Sequence, residues 1–208
     1  DTLTGIENIK GSTVKDSLTG DNTANSLLGM AGNDTLKGEG GADYIDGGAD
    51  DDFIYGGSGD DIIDGGSGDD TLSGEAGKDT LRGGTHTITT GIQGSGDPYS
   101  GKGDTANYAY LDTGTNKIVV NLESSSNQAV VYDGSTASTT DIDQLIDIEN
   151  INGTKNDDTM TGNTANNSLI GNAGNDLFYG SEGVDTIDGG TGATIDIANY
   201  STLNQKII

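Results

Sequence analysis

Apolar residues recur along this chain with a period of nine. From Gly29 to Arg82 the sequence divides without a gap into six units: GMAGNDTLK, GEGGADYID, GGADDDFIY, GGSGDDIID, GGSGDDTLS and GEAGKDTLR. Position eight of every unit is a large aliphatic residue, namely Leu36, Ile45, Ile54, Ile63, Leu72 and Leu81. The last three residues of a unit, such as Thr35-Leu36-Lys37, predict a minimal strand whose middle side chain turns to one face. The six residues before them are rich in Gly and Asp and predict a turn, because glycine tolerates positive φ and close backbone approach. Two weaker units come first, GSTVKDSLT from Gly11 and GDNTANSLL from Gly20. A unit this short cannot bury its aliphatic side chain alone, so successive units must stack. With two units per coil, turns 18 residues apart lie over one another at the spacing of neighbouring strands, roughly 4.8 Å. The pattern predicts an all-β fold, a solenoid of parallel strands.

A second run begins at Gly153 with GTKNDDTMT, GNTANNSLI, GNAGNDLFY and GSEGVDTID. Residues 6–48 laid on 148–190 agree at 23 of 43 positions without a gap, so a larger unit of about 142 residues repeats. Asp104-Thr105-Ala106-Asn107-Tyr108 likewise matches Asp196-Ile197-Ala198-Asn199-Tyr200. The expected organisation is a first roll with its leading segment over 1–85, an inserted surface loop over 86–103, and a β-rich connector over 104–150. A second, shorter roll follows over 151–192, and the start of a further connector over 193–208. Within the connector, 117–122 and 128–132 read as short strands, while 139–151 fits either one helical turn or more strand. The repetition leads us to expect a fragment of a longer tandem array.

Composition sharpens this picture. Lys and Arg number 9 against 34 Asp and Glu, a net charge of −25, and 28 of the acids are Asp. Leu, Ile, Val and Phe make up only 40 of 208 residues, which at this charge normally signals disorder. The spacing alone argues for structure. Nucleic acid and anionic membranes are excluded as partners, since both are bound through basic surfaces. With no cysteine there is neither a disulfide nor a thiolate metal site. No apolar run approaches the roughly 18–20 residues that span a bilayer, so direct membrane insertion is not expected. Asp1-Thr2-Leu3-Thr4-Gly5 does not read as a signal peptide.

The candidate chemistry lies at position six, which is Asp in all six perfect units: Asp34, Asp43, Asp52, Asp61, Asp70 and Asp79. Stacking lines up Asp16, Asp34, Asp52 and Asp70 on one edge, and Asn25, Asp43, Asp61 and Asp79 on the other. Carboxylates stacked at strand spacing repel unless something positive lies between them. Oxygen ligands without His or Cys match a hard cation, Ca²⁺ above all, since Mg²⁺ demands tight octahedral geometry and keeps its waters.

These units resemble the GGxGxDxUx nonapeptides of the RTX (repeats-in-toxin) family over residues 11–82 and 153–192. The resemblance implies a right-handed parallel β-roll holding several Ca²⁺ ions in its turns, here two rolls joined by a short β-rich connector. It also implies that one ion bridges two turns on the same edge. The lower turn gives the carbonyls of positions two and four and its Asp; the upper gives the carbonyls of positions one and three and its Asp. Carried onto this chain, one ion falls among Met30, Gly32, Asp34, Gly47, Ala49 and Asp52, and the next among Glu39, Gly41, Asp43, Gly56, Ser58 and Asp61. A third falls among Gly48, Asp50, Asp52, Gly65, Ser67 and Asp70, and a fourth among Gly57, Gly59, Asp61, Gly74, Ala76 and Asp79. Asp16 extends the first roll, and Asp158, Gly171, Ala173, Asp176 and Asp185 serve the second. Asn25 and Asn167 lack the charge.

Other chemistry finds little footing. His86 is the only histidine and no partner motif accompanies it. Asp97-Pro98 is a bond type at which some RTX proteins process themselves, but no catalytic motif stands beside it; Asp97, 18 residues after Asp79, could also extend that edge. The eight tyrosines suit a carbohydrate platform less well than packing at roll ends. No catalytic residue is nominated and no enzyme is expected. Two readings remain. One is a structural or adhesive module of a bacterial surface protein, outside the cell, folded by calcium after type I secretion. Its partners would be calcium, neighbouring modules of the same chain, the secretion machinery and a surface glycan or protein. The other is the carboxy-terminal secretion and folding region of an extracellular protease, lipase or epimerase.

Overall fold

A computed structural model of the chain describes residues 6–85, 103–111, 114–123, 128–133, 136–191 and 195–201. Nine strands build the first part: β1 (Asn8–Lys10), β2 (Ser17–Thr19), β3 (Ser26–Ala31), β4 (Thr35–Gly40), β5 (Tyr44–Ala49), β6 (Phe53–Ser58), β7 (Ile62–Ser67), β8 (Thr71–Ala76) and β9 (Thr80–Thr85). They alternate between two sheets, odd strands in one and even strands in the other. Each pairs in parallel with the strand 18 residues away, as in Ile45↔Ile63 and Ile54↔Leu72. The nine-residue period is thus a parallel β-roll with two units per coil.

The strands are longer than the expected three residues. From β3 to β9 each runs to six, because pairing resumes beyond the position-one glycine, for instance at Met30↔Gly48 and Ala31↔Ala49. Positions two and three of these turns lie over their counterparts in the next turn and bond to them. Three-residue strands appear where the turn sequence is weaker: β1, β2, and in the second run β15 (Thr159–Thr161), β16 (Ser168–Ile170), β17 (Leu177–Tyr179) and β18 (Thr186–Asp188).

The connector forms β10 (Thr105–Asn107), a 3₁₀ turn at Ala109–Leu111, β11 (Asn116–Asn121), β12 (Gln128–Asp133), β13 (Thr136–Ile146) and β14 (Asn150–Asn152). The ambiguous 139–151 segment is therefore strand as far as Ile146 and again from Asn150, with a bend at Asp147 between them. These strands are themselves rungs. In one sheet β13 pairs in parallel with β9, β12 and β11 follow antiparallel, and β11 pairs in parallel with β15. In the other, β10 lies between β8 and β14, and β14 pairs with β16. With β19 (Ile197–Asn199) the two sheets run unbroken through 11 and 8 strands. The position over Asp79 is filled by Asp143, since Gln144 pairs with Thr80. His86, Asp97 and Pro98 lie outside the described residues.

The core is a single column. Leu27, Leu36, Ile45, Ile54, Ile63, Leu72 and Leu81 are all fully buried, one per unit. In the connector the column widens to include Tyr108, Ile118, Val120, Val131, Leu145 and Ile151. Position-seven residues such as Tyr44 and Phe53 face outward and are about half exposed. No helix among the described residues is long and apolar enough to cross a membrane.

Ile54→Ala should therefore destabilise the calcium-loaded protein by about 2–5 kcal/mol, as expected for a large aliphatic side chain lost from a sealed column. Its neighbour Phe53, changed to Ser, should cost well under half as much. Denaturant melts in calcium compare the two; equal losses would mean that the outer face is also packed.

Candidate metal centre

Each position-six Asp stands where the chain leaves a turn and enters a strand, and one of its oxygens is committed to the stack. Oδ1 accepts the backbone N–H of its counterpart 18 residues earlier: Asp34 donates to Asp52 at 2.7 Å, and Asp43 to Asp61, Asp52 to Asp70 and Asp61 to Asp79 at 2.8 Å each. Asp16 and Asn25 donate in the same way to Asp34 and Asp43, and Asp158 to Asp176. The zipper draws these carboxyl groups out of water; Asp34 through Asp79 at position six are no more than 3% exposed.

The other oxygen is left over. Oδ2 of Asp34, Asp43, Asp52, Asp61, Asp70, Asp79 and Asp176 is buried and accepts no hydrogen bond. A buried acceptor without a partner forfeits its desolvation energy, and native folds tolerate few of them. Seven in register point to a positive ligand as the missing partner.

The backbone shapes the space these oxygens face. A Cβ on Gly29 would strike both Asp34 Oδ2 and the Gly47 carbonyl oxygen. The same pair recurs at Gly38 (Asp43 and Gly56), Gly47 (Asp52 and Gly65), Gly56 (Asp61 and Gly74) and Gly65 (Asp70 and Gly83). Carboxylate and upper-turn carbonyl thus converge on a cradle that only glycine leaves open. The lower-turn residues at positions two and four are held left-handed, even where they are not glycine: Met30 has φ 87°, Glu39 77° and Asp50 74°. An L-residue in that region is disfavoured by about 1–2 kcal/mol, so the turn conformation is imposed by the stack. The position-three carbonyls of Ala49, Ser58 and Ala76 accept the N–H groups of Gly32, Gly41 and Gly59 at 3.1, 2.8 and 2.8 Å. Each keeps a second lone pair.

The donor set fits Ca²⁺: buried carboxylate oxygens, backbone carbonyls and no nitrogen or sulfur. Among the described residues no three His, Cys, Asp or Glu side chains come together. Such a site would therefore rely on stacked Asp residues and main-chain oxygens rather than on an acidic cluster. Burial is the main force on the acids themselves, partly offset by the N–H bonded to Oδ1 and reinforced by neighbouring carboxylates. It pushes Asp61 and Asp70 up to about 7 and Asp52 up to about 6, with Asp43 raised as well. Asp176, in the second run, is raised to about 6 by the same burial.

Asp16, Asp158 and Asp185 reach the same edges in a different state. Asp16 Oδ2 accepts the Ser12 N–H at 2.6 Å and its hydroxyl at 2.9 Å. Asp158 Oδ2 accepts the Thr154 N–H at 2.7 Å and its hydroxyl at 3.1 Å, and Asp185 Oδ2 accepts the Ser181 hydroxyl at 2.9 Å. Gly171 and Ala173 belong to the turn of Asp176, where Asn172 and Gly174 are left-handed as in the first roll.

Two sets of residues escaped the sequence reading. Position five forms a second zipper of opposite sense: Asp51, Asp60 and Asp157 Oδ1 accept the N–H groups of Asp69, Lys78 and Asn175 above them at 2.9, 3.0 and 2.8 Å. Its signal was the frequent Asp or Asn at that position. The connector also extends the position-six ladders, with Asp70 N–H donating to Asp104 Oδ1 at 2.9 Å, Asp104 N–H to Glu149 Oε2 at 3.0 Å and Asp79 N–H to Asp143 Oδ1 at 3.2 Å. The acid-x-aliphatic triplets Asp104-Thr105-Ala106, Asp143-Gln144-Leu145 and Glu149-Asn150-Ile151 carried that signal without the glycines.

The family described as the RTX calcium-binding nonapeptide repeat (4 copies) matches residues 19–54, 55–85 and 161–195. No curated protein matches the chain.

Asp61→Ala should weaken calcium binding and stability more than Asp16→Ala, because Asp61 Oδ2 has no protein partner whereas Asp16 Oδ2 is bonded to Ser12. Calorimetric titration of both variants decides, and equal effects would refute the distinction. A pH dependence follows from the raised acids. Without metal, the folded chain binds more protons than the unfolded chain between the ordinary Asp value, about 4, and the raised values. Metal-free stability should then rise as pH falls from about 7.5 to about 5, with no further gain below about 4. In calcium the sign reverses, since protons compete for the same oxygens, and the calcium midpoint should move to higher concentration. Melts in chelator and in calcium at both pH values test the two signs.

Proposed function

The chain belongs to the RTX calcium-binding repeat family, and from that premise we propose that it is a calcium-folded structural and adhesive module of a secreted bacterial surface protein. The observation that carries this reading is the set of seven buried Asp oxygens, each without a donor among the described residues and each at the same place in its turn. Removal of the cation leaves these carboxylates stacked and uncompensated, and one buried aliphatic residue per nine offers little to hold them together. Binding to the folded state alone then supplies the missing stability.

The residues that would hold the ions are Met30, Gly32, Asp34, Gly47, Ala49 and Asp52 in one site, with the three further sets on the same frame up to Asp79. The ions would supply charge neutralisation and a bridge between stacked turns; the chain's own residues supply the register. Low calcium inside the cell keeps such sites empty and the chain open for type I export, and extracellular calcium folds it. The net charge of −25 assists by keeping the chain extended before export. The 142-residue repeat favours a stiff tandem module over a terminal region attached to an enzyme, because the connector prolongs the roll instead of ending it.

Extracellular modules of this kind bind calcium at about 10⁻⁴–10⁻³ M. Circular dichroism followed against calcium at physiological ionic strength should show β-structure forming with a midpoint of about 0.1 to a few millimolar and a Hill coefficient above one. A sub-micromolar midpoint would let the module fold before export and would sink the secretion switch. A β spectrum indifferent to chelator would sink calcium-driven folding altogether.

A further inference from the structure

The turns fall into two classes, separated by the second residue of the unit. In the six turns from Gly29 to Asp79, and in the turn at Gly171, position two is left-handed with φ between 69 and 112°, and the position-six Oδ2 accepts nothing. In the turns opening at Gly11, Gly20, Gly153, Gly162 and Gly180, position two is not left-handed. There the position-six side chain accepts a hydrogen bond from position two of its own turn: from Ser12, Asp21, Thr154, Asn163 and Ser181 respectively. The correlation holds in these twelve turns, each of which consists wholly of described residues. Four of these bonds come from the position-two backbone N–H, at Ser12, Asp21, Thr154 and Asn163, joined by the hydroxyl at Ser12 and Thr154, and the fifth from the Ser181 hydroxyl.

The end of the first roll shows the same substitution by another means. On the edge of Asp79 the rung above is β13, with Asp143 in the Asp position. Tyr110 donates its hydroxyl to the Glu75 carbonyl at 2.8 Å, and Tyr108 donates to Asp143 Oδ2 at 2.9 Å. Glu75 is position two of the lower turn and Asp143 is the acid of the upper one, so two phenol hydroxyls bond to the oxygens that elsewhere in the roll face the cation site. Their rings lie 6.3 Å apart inside the widened core.

We propose that these hydrogen-bond donors are built-in substitutes for the cation, so that residues 104–170 fold without calcium and provide the end on which the calcium-dependent rungs assemble. The inference rests on the calcium-folding reading above and divides the chain within it. Asp158 is satisfied on both oxygens, Oδ1 by the Ile118 N–H at 2.8 Å and Oδ2 by Thr154. At Asn167 the charge is absent altogether, and its Nδ2 donates to the Glu149 carbonyl at 2.7 Å. The apolar column is also widest here, with Tyr108, Ile118, Val120, Val131, Leu145 and Ile151 buried where a roll rung contributes one side chain. Position two is thus the specificity-determining residue of a rung: a left-handed residue leaves the carboxylate for the ion, and a Ser or Thr closes it.

Hydrogen exchange by mass spectrometry on the whole chain tests this, with calcium and with chelator. In chelator, amides of 105–107, 117–121 and 150–170 should exchange at least about tenfold more slowly than those of 35–76. If both regions lose protection together, the inference falls while calcium-driven folding stands. If neither does, calcium-driven folding itself fails and takes the inference with it. Thr154→Gly supplies the converse. Residues 155–161 should lose protection in chelator and regain it in calcium, whereas Thr154→Ser should keep it in both. Unchanged protection of Thr154→Gly in chelator would overturn the role assigned to position two.

Discussion

A carboxylate that is half satisfied governs this molecule. Its Oδ1 is pinned by the N–H of the rung below, which fixes the side chain, buries it, and aims the second oxygen inward. No described residue answers that oxygen in seven of the turns. While the carboxylates are ionised the arrangement calls for a cation, because a stack of buried like charges must otherwise take up protons to escape desolvation and repulsion. Sheet pairing, the column of Leu and Ile and the glycine cradles all fit one geometry, but none of them cancels that charge.

The preference for Asp over Glu has the same origin. Asp is short enough that bonding one oxygen to the stack leaves the other in a defined place, and 28 of the 34 acids are Asp. Glu149 is instructive as the one Glu on the ladder. It follows Asp147 by only two residues, where in a full unit the acid follows the glycine by five. Its backbone is therefore set differently, and its longer side chain still reaches the Asp104 N–H. Asp147 itself is left-handed with φ 51°, and its carbonyl faces Gly83 as a position-one carbonyl would.

The period of nine made most of the roll legible: the parallel stacking, the column from Leu36 to Leu81 and the acids of both edges all follow from alternation and repeat. What it could not show was of two kinds. Some contacts join residues with no common frame, such as Asp79 and Asp143, 64 residues apart, so the connector read as a link although its strands are rungs. Others depend on the handedness of one residue. Ser12, Thr154 and Ser181 stand where Gly48 or Met30 stands in the other units, and a sequence frame records all of them as position two. Only φ and the hydrogen bonds reveal that some turns are open to an ion and some are closed.

This mixture of open and closed turns bears on cooperativity. In a solenoid each rung touches only its neighbours, so order spreads by nearest-neighbour contacts and must start somewhere. A uniform ladder of open turns would have to form its first rung by binding an ion between two unstructured loops, the entropically worst place to begin. A block in which Asp143 and Asp158 are already answered by Tyr108 and Thr154 presents the next rung with a formed edge. The two sheets meet that block differently. One passes through it on parallel strands β10 and β14; the other makes an antiparallel excursion through β12 before resuming at β15. Because β13 and β11 each offer a parallel partner, to β9 and to β15, the excursion preserves an edge on both sides and calcium-dependent rungs can grow from the block in either direction.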